Sequence, residues 1–379
     1  MTNPLDLPFD TEEMLTGLRP WIETESPTFD GAAVNRMMDL VQHELAILGA
    51  RTERIPSPMG LGDSLRAEMP HPKAGEGGIL LLGHMDTVHP IGTLAKLPYK
   101  RDGEICYGPG LMDMKGGNYV YLDALRKLLA AGIDTPLPVT VLFTPDEEIG
   151  TPATRRLIEE EAKRHKYILV PEPARPDGGA VIGRYAIARF NLQTRGRPSH
   201  AGWALAEGRS AIAEMAKAVG TIEGMTTEDC TFSLGVFHAG QWVNCVSSVC
   251  DAEVLTMAKT QAQLDAGVEK MMALNSGEGD VIMEIRRGVT RPVWEPDQPG
   301  TMAMLKLAQE IGGELGIEIT GSSAGGGSDG NFTGFLGLPT LDSIGVRGKG
   351  LHTLQERIYV DSLTERAKLA AGLFCRLTA

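Results

Sequence analysis

The sequence predicts an α/β protein in which a mixed, mainly parallel sheet is covered by helices on both faces and interrupted by a smaller inserted α+β unit. Two short apolar runs, GILLL at residues 78–82 and VTVLF at 139–143, have the length and the Leu or β-branched content of strands buried on both faces. Between them YVYLDALRKLLAAG carries helical spacing and closes on Gly132, so strand and helix alternate and the helices cover both faces of the sheet. From about residue 183 the pattern becomes a β-α-β-β-α-β series, the split βαβ arrangement. A chain of 379 residues exceeds the roughly 100–200 of one domain. The expected boundaries are therefore 1–182 for the first part of the larger domain, 183–295 for the inserted unit and 296–379 for the second part.

The elements follow in order. Residues 33–49 place Val34, Met37, Leu40, Val41 and Leu45 on one helical stripe that stops at Gly49. In the inserted unit RYAIARFNLQT (184–194) alternates as a half-buried strand, and 208–222 is an amphipathic helix. Strands are expected at 231–239, 249–259 and 280–286, with a helix at 260–274. The segment from 299 onward returns to long helices, TMAMLKLAQEIGGELG and LTERAKLAAGLFCRL, around a glycine-rich loop.

Composition excludes several classes. With 42% hydrophobic and 22% charged residues the chain is neither disordered nor low-complexity. No run approaches the roughly 20 apolar residues of a membrane span, and the acidic start lacks a basic segment before an apolar one. A cytoplasmic protein with no membrane partner is expected. The net charge of -13 argues against nucleic acid, which binds through basic patches. The five cysteines, Cys106, Cys230, Cys245, Cys250 and Cys375, are odd in number and scattered, so they read as reduced thiols, mostly buried.

Several strand-like runs deliver polar side chains at their carboxyl ends, where open α/β sheets build their sites. GHMD places His84 after GILLL, with Asp86 able to reach the other imidazole nitrogen and fix its tautomer; a turn histidine is the plain alternative. GPGLMDMKGG puts Asp113 in a glycine-flanked turn before a helix, where a helix cap is the commoner use. Asp146, Glu147 and Glu148 follow VTVLF, and a cation would offset their repulsion better than solvent alone. Glu172, between two prolines, follows YILV, and His352 lies in a glycine-rich loop after LPTLDSIGV. Two histidines and several carboxylates make the mixed nitrogen and oxygen field that suits zinc.

GHMDTV, GPGLMDMKGG, TPDEEIG, PEP, RGRPSHAG, QWVNCV and LHT, in this order from about residue 80 to 360, resemble the di-zinc family of glutamate carboxypeptidase, aminoacylase, acetylornithine deacetylase and succinyl-diaminopimelate desuccinylase. The resemblance implies that His84 and Glu172 bind one metal, Glu148 and His352 the other, that the Asp113 carboxylate bridges them, and that the Asp113–Met114 peptide is cis. It implies Glu147 as the general base that takes a proton from a metal-bridging water, and that the resulting hydroxide cleaves an amide, peptide or N-acyl amino acid bond of a small carboxylate-bearing substrate. His200 would polarise the scissile carbonyl, Asn244 would donate a hydrogen bond, and Arg291 would hold the carboxylate. The loop Gly325–Asp329 matches the family's glycine-rich loop. Zinc is the default for both ions, with manganese or cobalt as alternatives. The resemblance further implies that the inserted unit is a lid and that the protein is a homodimer built through it, with His200 serving the other subunit's site.

The sequence departs from the family pattern after Asn244. Cys245, Cys250 and Met257-Ala258-Lys259 stand where many relatives carry a proline-containing step and an Asp-x-Arg strand, so the departure touches the substrate-binding residues and leaves the metal-ligand motifs intact. Arg291 also reads as a solvated member of a cluster with Arg286 and Arg287. Phe232, Phe237, Trp242 and Trp294 suit either a core or an aromatic substrate group. Two other functions stay open: an aromatic aminohydrolase or deacylase in the same fold, and a metal-dependent binding protein without catalysis, against which Glu147 weighs.

Overall fold

The computed structural model describes residues 3–378, and the chain divides into two compact units. The first holds the described residues up to Gly183, Glu295–Ala324 and those from Ser328 onward; the second holds Arg184–Trp294 with Gly325–Gly327.

At the centre of the first unit Val139–Thr144, Ile79–His84, Tyr167–Val170 and Thr340–Asp342 run parallel, in that spatial order. Ser64–Glu68 and then Arg51–Ile55 add antiparallel strands at one side. Ala180–Arg184 and Gly321–Ala324 complete eight strands at the other. The uniform apolarity of GILLL has a direct cause. Ile79 and Leu81 pack in the cluster of Trp21, Val34, Met37 and Phe374, whereas Leu80 and Leu82 pack with Ile158, Ile168 and Phe332 on the opposite face. A strand with core on both faces cannot alternate.

The helix Gly31–Ile47 starts at Asp30, whose carboxylate accepts from the Ala33 amide at 2.9 Å, and ends before Gly49 at φ +80°. Of its stripe, Leu40 alone is partly exposed. The next helix, Gly116–Ala130, begins three residues before the apolar run that predicts it, because Gly117 enters the close contact. A β-carbon there would collide with the Pro171 carbonyl oxygen, and one at Gly83 with the Asn118 side chain. These glycines let the helix lie directly on the strand ends that carry His84 and Glu172.

In the second unit the antiparallel strands Cys230–Ala239, Val249–Ala258, Ala186–Arg195 and Ile282–Arg291 lie side by side in that order, the split βαβ order. Ala186, Ala188, Phe190 and Leu192 face a core closed by Met215 and Ile222 of helix Ala211–Glu223 and by Leu264 and Met271 of helix Gln261–Met272. The last strand runs beyond residue 286, with a register shift between Arg287 and Thr290. That irregularity separates the arginines: Arg286 and Arg287 are exposed, whereas Arg291 is buried, which removes the solvated-cluster alternative.

A small sheet of the first unit joins Gly348–Lys349, Arg357–Tyr359, Ile105–Tyr107 and Lys100–Asp102. His352 lies in the hairpin between the first two of these. It therefore does not end a strand of the central sheet, contrary to its reading from LPTLDSIGV. All five cysteines are free, with Cys245 exposed. Among the described residues no helix is long and apolar enough to cross a membrane.

Candidate metal centre

The first unit brings together His84, Asp113 and Glu172, and, sharing Asp113, Glu148 and His352. Oδ1 of Asp113 lies 3.4 Å from His84 Nε2, and Oδ2 lies 3.1 Å from His352 Nε2. Glu172 Oε1 stands 3.7 Å from His84 Nε2, and Glu148 Oε2 stands 3.3 Å from His352 Nε2. Donors around one tetrahedral zinc at about 2.0–2.2 Å would be roughly 3.3–3.6 Å apart, so these spacings fit ligands of common ions. Two buried polar atoms, His84 Nε2 and Glu148 Oε1, have no hydrogen-bond partner among the described residues. Both point to a cation as their partner, and the residues present fit the group.

Asp86 holds this arrangement from behind. Its Oδ1 lies 3.3 Å from His84 Nδ1 and accepts from the Glu147 amide at 3.3 Å; its Oδ2 accepts from the Thr28 hydroxyl at 2.6 Å and the Glu148 amide at 3.3 Å. One carboxylate thus orients the histidine and the turn carrying both glutamates. His84 Nδ1 also lies 3.0 Å from the Asp86 carbonyl, which directs Nε2 at the carboxylates. Asn118 donates to the His84 carbonyl at 2.8 Å.

Of the three adjacent carboxylates, Asp146 does not face the centre. It is fully buried and accepts from the amides of Ala153 (2.7 Å) and Thr154 (3.2 Å) and from the Thr154 hydroxyl. Burial pushes it up to about 6. The glycine-rich loop also braces this region, since Asp329 accepts from Thr144 and Thr151 and Ser328 donates to Asp342. The Asp113–Met114 peptide is cis, as expected.

Glu356 escaped the sequence reading. Its buried carboxylate accepts from the amides of Gly110 (3.0 Å), Met112 (2.8 Å) and Asp113 (3.0 Å) and lies 2.6 Å from His89 Nε2. It fixes the turn that aims Asp113, although it lies far away in sequence. Lys115 also turns inward: its ammonium donates to the carbonyls of Trp21 (3.1 Å) and Thr24 (2.7 Å) at the end of helix Thr11–Glu23. Burial pushes it down to about 7. Replacing Glu356 by Gln turns a donor toward those amides and is expected to weaken metal binding about 10–100-fold. Competition against a chelator measures this, and unchanged affinity would deny the residue its role.

Electrostatics divide the cluster. Burial, reinforced by Asp113, pushes Glu148 up to about 8 and Glu172 well above the carboxylate range. Hydrogen bonds to Asp113 and Glu148 push His352 up to about 11. For His84 burial acts downward, but contacts with Asp113 and Asp86 prevail and raise it well above the usual range. Burial would raise Asp113, yet His352 and His84 hold it well below. All four raised groups hold protons more tightly than free side chains, and metal needs them deprotonated. Metal uptake near pH 7 is therefore expected to release protons and to weaken as pH falls. Calorimetry in buffers of different ionisation heats reads this, and uptake without proton release would contradict it.

The second unit carries the other expected residues. His200 is exposed, and its Nδ1 accepts from the amides of Gly202 (3.1 Å) and Trp203 (3.2 Å). In the neutral ring this leaves the proton on Nε2. The Ala201 amide donates to the Asn244 carbonyl at 2.9 Å, so His200 and Asn244 sit on paired segments. The buried Arg291 packs against Gly327, where a β-carbon would crowd its side chain. Phe232 and Trp294 are core residues, whereas Phe237 and Trp242 are exposed.

The sequence profile of Peptidase family M20/M25/M40 matches residues 80–376. Carboxypeptidase G2 of Pseudomonas sp. (strain RS-16) is 31% identical over 378 residues, covering 96% of this chain and 88% of the relative. Succinyl-diaminopimelate desuccinylase of Azoarcus sp. (strain BH72) is 27% identical, covering 88% and 90%. Among solved structures, an M20 family metallo-carboxypeptidase from Sulfolobus solfataricus superposes with a TM-score of 0.78 at 16% identity, covering 97% of this chain and 99% of that one; at that identity the likeness concerns the fold. The profile spans most of the chain and includes every residue of the metal cluster, so the chain belongs to peptidase family M20/M25/M40 and is a metal-dependent hydrolytic enzyme.

Proposed function

We propose that the enzyme hydrolyses the amide bond of a small peptide or N-acyl amino acid bearing a free carboxylate. Two divalent ions, zinc by default, would be held by His84 and Glu172 and by Glu148 and His352, with Asp113 between them. The carrying observation is the Asp113 carboxylate, which faces one histidine with each oxygen. Bound there, the ions would lower the pKa of water and polarise the scissile carbonyl.

Protein side chains supply the rest. Glu147 shares the Asp86-held turn with Glu148, and its charge is felt by both Glu148 and Glu172. It takes the proton of the attacking water and hands it to the leaving nitrogen, which would otherwise depart as a poor amide anion. His200 donates from Nε2 to the carbonyl oxygen as charge builds there. Asn244 adds a hydrogen bond to the substrate, and the Arg291 guanidinium takes the substrate carboxylate. Purified, metal-loaded protein should release amine from a panel of N-acyl amino acids and dipeptides, and chelator should stop it. Metal-loaded protein that cleaves none of them would refute the reading.

We further propose a homodimer through the second unit, with the partner's His200 serving each site. The second-unit sheet has two edges, at Cys230–Ala239 and Ile282–Arg291, and edge strands invite pairing with another chain. Glu147→Ala and His200→Ala are each expected to be nearly inactive alone. Mixed and refolded, they should recover about a quarter of wild-type activity, since half of random dimers are mixed and one site in each is complete. No recovery despite proven mixing would refute the arrangement.

A further inference from the structure

We infer that a pocket beside His352 receives the acyl half of the scissile amide and selects a bulky aliphatic acyl group; this rests on the hydrolytic reading above. The cavity, about 390 Å³, is formed within the first unit by the segment from Val88 to Lys96 and by His352–Leu354. Val88, Ile91 and Leu354 are 39%, 53% and 52% exposed. Exposed apolar side chains are ordinary when single. Three on the wall of one cavity that also contains a candidate metal ligand make a surface for an apolar group.

The wall is held in place before any ligand arrives. The Glu25 carboxylate accepts from the amides of Gly92 (2.8 Å) and Leu94 (2.9 Å), and the Thr93 hydroxyl donates to the Pro90 carbonyl at 2.7 Å. His89, also on the wall, is fastened to Glu356, which in turn fixes the Asp113 turn. A pocket so held loses little entropy on binding. Its charge also narrows the occupant. No carboxylate is among the described residues lining it, whereas Lys96 is, so a cationic acyl group is disfavoured. The carboxylate half of the substrate is assigned to Arg291, which leaves the acyl half for this pocket.

The test compares N-acetyl, N-(4-methylpentanoyl) and N-(6-aminohexanoyl) derivatives of one amino acid. Turnover is measured on wild type, Ile91→Asp and Lys96→Ala, and binding by calorimetry on metal-loaded protein carrying Glu147→Ala, with and without Ile91→Asp. The 4-methylpentanoyl compound should be favoured about tenfold or more over both others. Ile91→Asp should erase that preference in turnover and in binding, with metal content unchanged. A preference that is absent, or that survives Ile91→Asp, overturns the inference. So does an equal, roughly tenfold weakening of all three by Lys96→Ala, which would make this the carboxylate site. Selective binding without turnover would refute the hydrolytic reading and keep the pocket; turnover without selectivity would do the reverse. Neither binding nor turnover refutes both.

Discussion

Glu147→Ala is expected to lower kcat by about 10²–10⁴-fold, the usual contribution of a positioned general base, while the protein keeps its full metal content. The two halves of this result belong together. Glu147 lies outside both groups of donor atoms, so its removal takes away no ligand, and the turn that carries it is held through backbone amides by Asp86. Its neighbour Glu148 faces His352 and Asp113, so Glu148→Ala should instead lose metal and activity together. Elemental analysis after gel filtration, set beside steady-state kinetics, separates the two glutamates. Most of the wild-type rate surviving Glu147→Ala would assign the base elsewhere.

Asp113→Ala is expected to remove both ions at once and with them all measurable turnover. Its oxygens face opposite histidines, so each candidate ion loses one of its three protein ligands. The effect should exceed the roughly 10–100-fold cost of losing an outer partner, and therefore the effect of Glu356→Gln. A variant that still binds two ions with wild-type affinity would show that the carboxylate does not bridge. Near-ultraviolet circular dichroism checks that the fold survives, because a carboxylate that burial opposes and two histidines sustain leaves a cavity when truncated.

Much of the fold and of the cluster is legible in the sequence because the information is local. An unbroken apolar run such as GILLL reports a strand with core on both sides, and the residue after such a run falls at the carboxyl end of the sheet. His84, Glu148 and Glu172 could therefore be located by reading forward from a strand. The alternation from Arg184 to Thr194 reported a strand with one covered face in the same way, and helix 31–47 was marked by its own stripe and stop.

Other features were set only where distant segments meet. Glu356 and Thr28 carry no local mark, yet one holds the turn of Asp113 and the other a carboxylate oxygen of Asp86. Asp146, Glu147 and Glu148 are equivalent in sequence, and only the path of residues 151–155 turns the first of them inward. Arg291 reads like its exposed neighbours Arg286 and Arg287 until the register shift carries it into a buried position. The reason is common to all of these. Periodicity encodes which side of its own element a residue faces, whereas the partner of a buried polar group is fixed by desolvation, which acts only after the chain has brought remote donors and acceptors together.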